Sequence, residues 1–456
     1  MALSIKSGLV TGKRDNLKWQ LARLAGPIFI EVLLIMMLGA VDTFMLSRHS
    51  DGSVAAVGMV NQIVTFCFLV FEVINVGTSV LCSQYMGAKL QEKVETIIGI
   101  SLMVNLVLGL AISAFLYFGA DMLLTKMGLA PELMPDGLAY MRIVGSMAFF
   151  QALAMTLSAA LRSADMAFYP MLVALVMNIL NIFGNYSLIF GKFGMPALGV
   201  EGAAISTAAC RAIAMGMLMV IVHKKLIPKF HKCNFVPFQW RELGKLMRIG
   251  LPSAGEQASY SSSQIVITYL INMLGVEALA TRTYCVNIIM FVYLFSISMA
   301  QGGAICIGHL VGRSKDRAAF ILGKFVMKRS VSITLALSIL LALSGPYIFN
   351  ILTRNPEIIR LGCIILWIDV LLEIGRPINI FATNALRAAG DVNYPFYVGL
   401  IVMWSVAVAF GYISGITFGF GILGMWTAFM LDENIRGIIF VKRWYSMKWV
   451  AKNFIR

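Results

Sequence analysis

A chain of 456 residues that is 59% hydrophobic, only 13% charged and of mean hydropathy +0.83 lies far from the roughly 25% charged of a soluble domain and reads as an integral membrane protein. Its net charge of +15 excludes rather than suggests nucleic acid, because the basic residues are sorted to one side of the predicted spans and form no binding stripe. Seven scattered cysteines with no CxxC pair read as small buried apolar residues, which excludes a disulfide or metal framework.

A membrane helix needs about 20 mostly apolar residues. Twelve such runs follow one another: 24–46, 60–80, 97–118, 138–161, 170–190, 202–222, 250–274, 286–310, 331–352, 364–386, 394–416 and 419–441. They lack the alternating polarity of barrel strands, so the expected class is all-α with twelve transmembrane helices. Residues 1–20 carry Lys6, Lys13, Arg14 and Lys18 with no small-residue cleavage site before Leu24, so the first span doubles as the insertion signal. With both termini placed in the cytoplasm, 27 of the 37 Lys and Arg fall in the tails and even-numbered loops, 6 in the opposite loops, and 4 (Arg142, Arg211, Arg376, Arg436) within spans. That asymmetry orients a multi-pass protein of the cell membrane and brings its basic loops against anionic lipid headgroups.

An ionisable side chain inside a span costs on the order of 2.5–3.5 kcal/mol and so marks a candidate site. Span one carries Glu31 and Asp42, three turns apart and on nearly one face. Span two holds an isolated acid, Glu72, and closes on Gly77 and Gly87. Span five presents Asn178, Asn181 and Asn185 at i, i+3 and i+7, amides able to coordinate a cation or bond a carboxylate, with Asn178 the best candidate for plain helix-to-helix glue. Residues 223–249 form the most basic segment and read as a topology-pinning linker, in which Phe235, Phe238 and Trp240 suit a short interfacial helix.

Span seven aligns Ser253, Glu256, Gln257, Tyr260 and Gln264 on a stripe too polar for lipid. Span ten is the most charged, with Asp369, Glu373, Arg376 and Asn379 in helical register and Pro377 able to kink it. Glu373 and Arg376 are within pairing reach, which leaves Asp369 over. In span twelve, Asp432, Glu433 and Arg436 read as mainly structural. No Walker A, HExxH, CxxC or G-x-S-x-G sequence occurs, and the four His (49, 223, 231, 309) lie toward loop edges. The chain reads as no enzyme and needs no cofactor.

The halves are copies. At one separation of 225 residues, Pro27 maps onto Pro252, Glu31 onto Glu256, Gly77 onto Gly302, Gly87 onto Gly312, Ala160-Leu161-Arg162 onto Ala385-Leu386-Arg387, and Tyr169-Pro170 onto Tyr394-Pro395. A constant offset marks a duplicated unit. Six spans per copy make the repeats parallel: a six-helix lobe over 1–222, the linker 223–249, and a second lobe over 250–456.

These residues resemble the multidrug and toxic compound extrusion (MATE) family of cation-coupled efflux transporters over essentially the whole chain. The resemblance rests on Gly26-Pro27 with Val41-Asp42-Thr43, on the stretch from Gly77 to Gln84 running to Gly87-Ala88, on Leu-Pro-Ser-Ala-Gly-Glu256, and on Leu386-Arg387-Ala-Ala-Gly-Asp391, in that order. It implies two six-helix lobes around a cleft that opens to either side in turn, and export of small organic cations or drugs against inward Na⁺ or H⁺ by a monomer. Carried over by position, Asp42, Asn181 and Asn185 would form the first lobe's coupling site, a candidate Na⁺ position, and Glu256 would be the second lobe's carboxylate. Many members add an acid about eleven residues before the Leu-Arg pair; here that position is Arg376, with Glu373 and Asp369 earlier on the helix, both retained as coupling candidates. Glu31, Gln257, Tyr260, Gln264 and Arg376 would line the substrate cavity. The alternative is a flippase for lipid-linked glycans, which calls for cationic groups to meet a phosphate, and here spans offer mainly acids. A membrane-embedded transferase would need a metal-binding acid pair that Asp165 and Asp391 do not supply.

Overall fold

The computed structural model describes residues 14–227 and 239–455, and the described residues are helical with no strand. The basic residues Lys229, His231 and Lys232 and the aromatics Phe235 and Phe238 of the linker lie outside them. The helices are α1 (Arg14–Ser47), α2 (Asp51–Gly87), α3 (Gln91–Phe118), α4 (Ala120–Lys126), α5 (Met134–Ser146), α6 (Ala148–Ser163), α7 (Phe168–Phe190), α8 (Val200–Lys225), α9 (Trp240–Asn272), α10 (Val276–Gly312), α11 (Asp316–Leu352), α12 (Pro356–Ala388), α13 (Asn393–Val402) and α14 (Gly421–Tyr445).

Each expected span is found on one of these. The fourth is the pair α5 and α6, bent by 46° at Met147. The eleventh is α13 continued by π-helical turns at Met403–Phe410 and Ile413–Thr417. Among the described residues eight helices are individually long and apolar enough to cross a membrane, and the bent pair, counted as one span, makes nine. The remaining three long helices, α9, α12 and α14, are the ones loaded with acids, arginines and amides. Their polar stripes have to face protein, since lipid leaves such groups unsatisfied.

The duplication is visible in the element boundaries: α2 starts and ends 225 residues before α10, and α5 and α6 together cover the stretch whose copy is the unbroken α12. The copies pack about a pseudo-two-fold axis. A Cβ on Gly87 would lie 2.3 Å from the His309 carbonyl oxygen, and one on Gly312 would lie 2.1 Å from that of Gln84, and residue 309 is the copy of residue 84. Only glycine permits helix backbones so close.

Core packing shows which face is shut. Leu21, Leu24, Ala25 and Ile28 of α1 join a cluster made mainly of second-lobe residues, including Ile307, Phe381 and Phe440. Reciprocally, Leu246 and Ile249 of α9 join a first-lobe cluster with Ile74, Leu81 and Leu157. Each lobe's first helix thus lends its terminus-side half to the other lobe. Toward the opposite face the clusters are pure: one built around Leu116, Tyr140 and Val144 within the first lobe, one around Phe349, Ile365 and Trp426 within the second. The chain end adds to the seal, since Trp449 stacks on Trp444 at 4.5 Å and the Phe454 N–H donates to Gln84 Oε1 at 3.2 Å.

Candidate functional site

In the second lobe, α9, α10, α12, α14 and Met403 of the π-helical turn enclose a cavity of about 400 Å³, walled on one side by Glu72 and Val76 of α2. Sites for drug-sized ligands span about 300–1,000 Å³. Its lining includes Glu256, Gln257, Tyr260, Gln264 and Arg376 as anticipated, and also Arg282, Arg387, Glu433 and Arg436. Span seven supplies its polar stripe because Ser253, Glu256, Tyr260 and Gln264 recur near helical period on α9. Ile267, Ile289, Met290, Tyr293, Trp426 and Phe429 give it apolar walls.

The charges form networks. Arg376 donates from Nη1 to Glu373 Oε1 at 2.6 Å and from Nη2 to Asp369 Oδ1 at 3.4 Å, all three fully buried. Asp369 is therefore not left over, because the guanidinium fork spans both acids on one helix face. Arg436 pairs with Asp432 and reaches Glu433 at 3.2 Å, and Asn379 donates to Glu433 Oε2 at 2.6 Å, joining α12 to α14. The cluster on span twelve is thus part of the cavity wall as well as structural. Four acids share two arginines here, and Glu373 Oε2 and Asp432 Oδ1 are buried with no partner among the described residues.

Glu256 is paired with Arg387 of α12. Its copy Glu31 pairs with the corresponding Arg162 at 3.2 Å, so the repeat includes the ion pair itself. The two copies differ in what they face. Glu256 and Arg387 line the cavity, whereas Glu31 is buried behind Arg162 and is not in its lining. Glu31 and Asp42 accordingly do not act from one shared surface of this cavity. Glu72, isolated in sequence, lines a smaller neighbouring cavity of about 130 Å³ together with Arg162 and Arg387, and so sits among the arginines of both repeat pairs.

Asp42 also lies outside the lining. It is held from α7, where Asn185 Nδ2 donates to Asp42 Oδ1 at 2.6 Å and to Asn181 Oδ1 at 3.1 Å, with both amides at 0% exposure. Asn185 Oδ1 and Asn181 Nδ2 are buried without partners among the described residues. Asn178 donates to the Leu34 and Ala174 carbonyls, the gluing role expected of it. Copies of Asn181 and Asn185 in the second lobe are Val406 and Phe410, and that of Asp42 is Ile267. The lobes share a scaffold and have diverged in chemistry.

His309 lies in the last turn of α10, toward the loop edge as expected, yet it is buried where α10 meets the first lobe, its Nε2 2.7 Å from the Ser163 carbonyl oxygen, because the pseudo-symmetric contact buries the end of α10.

Two stretches, residues 27–187 and 252–413, each match the family model described as MatE. The chain belongs to the MATE family. A protein of Bacillus subtilis named "Uncharacterized transporter YisQ" is 41% identical over 434 residues, covering 95% of each chain.

 The "Multidrug resistance protein NorM" of Vibrio cholerae is 25% identical over 448 residues, again 95% of each. Among solved structures, the V. cholerae MATE transporter VcmN in its bent form superposes with a TM-score of 0.88 at 17% identity, over 96% of this chain and 98% of that one. A second, titled as the outward-facing conformation of a multidrug resistance MATE family transporter, gives 0.86 at 21%, over 95% and 97%. Membership makes this MATE chain a multi-pass membrane transporter and not an enzyme, with twelve helices in the arrangement of its relatives.

Proposed function

We propose that this chain is a secondary antiporter of the cell membrane that exports small organic compounds, cations among them, in exchange for inward H⁺ or Na⁺, working as a monomer with both termini in the cytoplasm. The observation that carries the proposal is the second-lobe cavity of about 400 Å³, aromatic in its walls and ionisable in its lining, in a molecule whose lobes share hydrophobic clusters at the face that bears the termini. An unpaired charge is costly in such a setting, so each carboxylate takes a proton, a metal cation or a cationic substrate. Exclusion of one by another, coupled to movement of the lobes about the glycine contact, is antiport. One charge moving down 100 mV supplies about 2.3 kcal/mol, which sustains a roughly fifty-fold substrate gradient at 1.4 kcal/mol per decade.

Asp42, with the amides of Asn185 and Asn181 beside it, is the first-lobe place where a proton or Na⁺ would be taken up. The four acids that share two arginines in the second lobe offer further places for a proton. Uptake of a fluorescent cation into vesicles, with Na⁺ and pH gradients imposed separately, tests the reading. Asp42→Asn is expected to abolish gradient-driven export while the protein still reaches the membrane, and undiminished dye export by that variant would overturn the coupling role.

A further inference from the structure

The cavity lining carries four arginines, Arg282, Arg376, Arg387 and Arg436, against three acids, Glu72, Glu256 and Glu433. Three of the arginines are answered by carboxylates: Arg376 by Glu373 and Asp369, Arg387 by Glu256, and Arg436 by Asp432 and Glu433. Arg282 is different. It is half-buried near the start of α10, and the bond found for it among the described residues is to a neutral amide, with Nη2 donating to Gln264 Oε1 at 3.0 Å. No carboxylate among the described residues forms an ion pair with it.

That arrangement holds a guanidinium in place without discharging it. The amide of Gln264 orients the planar fork and uses one of its five N–H donors, which leaves the rest for a planar, two-oxygen acceptor. A half-buried cation with no carboxylate beside it bears part of the cost of desolvation, and an incoming anion offsets it. The same cavity presents Tyr260, Tyr293, Trp426 and Phe429, whose faces suit a flat aromatic body. Along α9, Gln264 follows Glu256 by eight residues, or about 12 Å of helix, so Arg282 on Gln264 stands about two turns away from the Glu256–Arg387 pair along one cavity. Nothing in the first lobe repeats this, since the copies of Arg282 and Gln264 are Val57 and Gly39.

We infer that Arg282, held by Gln264, is a subsite for the carboxylate of an aromatic substrate. The inference rests on the reading that this cavity holds the exported compound. It is tested with the full chain in vesicles, using a zwitterionic quinolone, its methyl ester and a quaternary dye, each followed both by equilibrium binding and by gradient-driven transport.

Arg282→Gln is expected to weaken binding of the quinolone about tenfold, as expected for loss of one charge-assisted hydrogen-bonded pair, while binding of the ester and the dye changes less than about twofold by the same scale. Arg282→Lys is expected to recover part of the loss, since it restores the charge without the fork. Equal weakening of all probes, or no weakening of the quinolone, would overturn the subsite. Selective loss of quinolone binding in a protein whose wild type transports none of the probes would keep the subsite and overturn the export reading.

Discussion

Replacing Gly312 by alanine puts a methyl group into the tightest part of the contact between lobes. Its Cβ would sit 2.1 Å from the Gln84 carbonyl oxygen, where ordinary contact begins at 3.4 Å, so the α2 and α10 backbones have to part by about 1.3 Å, the difference of those distances. The obstructing atom is backbone and cannot rotate away. Overpacking of this kind costs about 1–3 kcal/mol, and the helix-propensity gain of alanine over glycine is common to both arrangements of the lobes and does not offset it. Because the strain exists only while the lobes close on the terminus-bearing face, about 1–3 kcal/mol biases the equilibrium against that closed state by about 5- to 150-fold.

The assay is a pair of spin labels on cysteines replacing exposed Lys89 and Ser314, the residues that turn the chain after α2 and α10 with φ of 62° and 56°. The unaltered contact is expected to give one short distance, and Gly312→Ala to add a longer one and slow export. Gly216→Ala, at a helical position with nothing within 4 Å of the added Cβ, serves as the control and should change neither. An unaltered distance distribution with wild-type export in Gly312→Ala would refute the idea that closure depends on backbone contact there.

Two further outcomes follow from the charge networks. Arg376→Leu strips two buried acids of their shared cation and is expected to cost about 3–5 kcal/mol, read as a fall in Tm of the detergent-solubilised protein; adding Glu373→Gln and Asp369→Asn should restore most of it, and a single variant as stable as wild type would contradict the network. Glu256→Gln is expected to weaken binding of a cationic dye about tenfold, whereas Glu31→Gln, its copy behind Arg162, should alter binding less than about threefold on the scale of 1.4 kcal/mol per decade; equal effects would show that facing the cavity does not separate the copies.

Much of this protein is legible in its linear order. Spans follow from apolar runs because lipid demands that every backbone polar group be satisfied within its own helix, and the duplication follows from a single offset that also sets the ends of α2 and α10. Glu256, Gln257, Tyr260, Gln264 and Arg376 could be assigned to an interior surface because lipid tolerates no such stripe, and all of them line the cavity. The pairing of Asp42 with Asn185 was suggested by residue type and family likeness together, and the 2.6 Å contact places them side by side.

Tertiary structure alone decided which of two equivalent positions meets the cavity. Glu31 and Glu256 are copies with copied arginine partners, so nothing local distinguishes them; the difference arises from the helices that surround each pair. Arg282 is equally silent in sequence, where it reads as a loop charge, because only the fold of α10 against α9 turns it inward toward Gln264. His309 needed the packing of one lobe on the other to acquire Ser163 as a neighbour, and Glu72 needed it to gain Arg387 beside its own lobe's Arg162. Apolar periodicity determines that a side chain avoids lipid, but which protein surface it meets depends on contacts between helices, 18 residues apart for Arg282 and Gln264 and 131 or more for the pairs of Glu31, Glu256 and His309, and those are set by packing of whole helices.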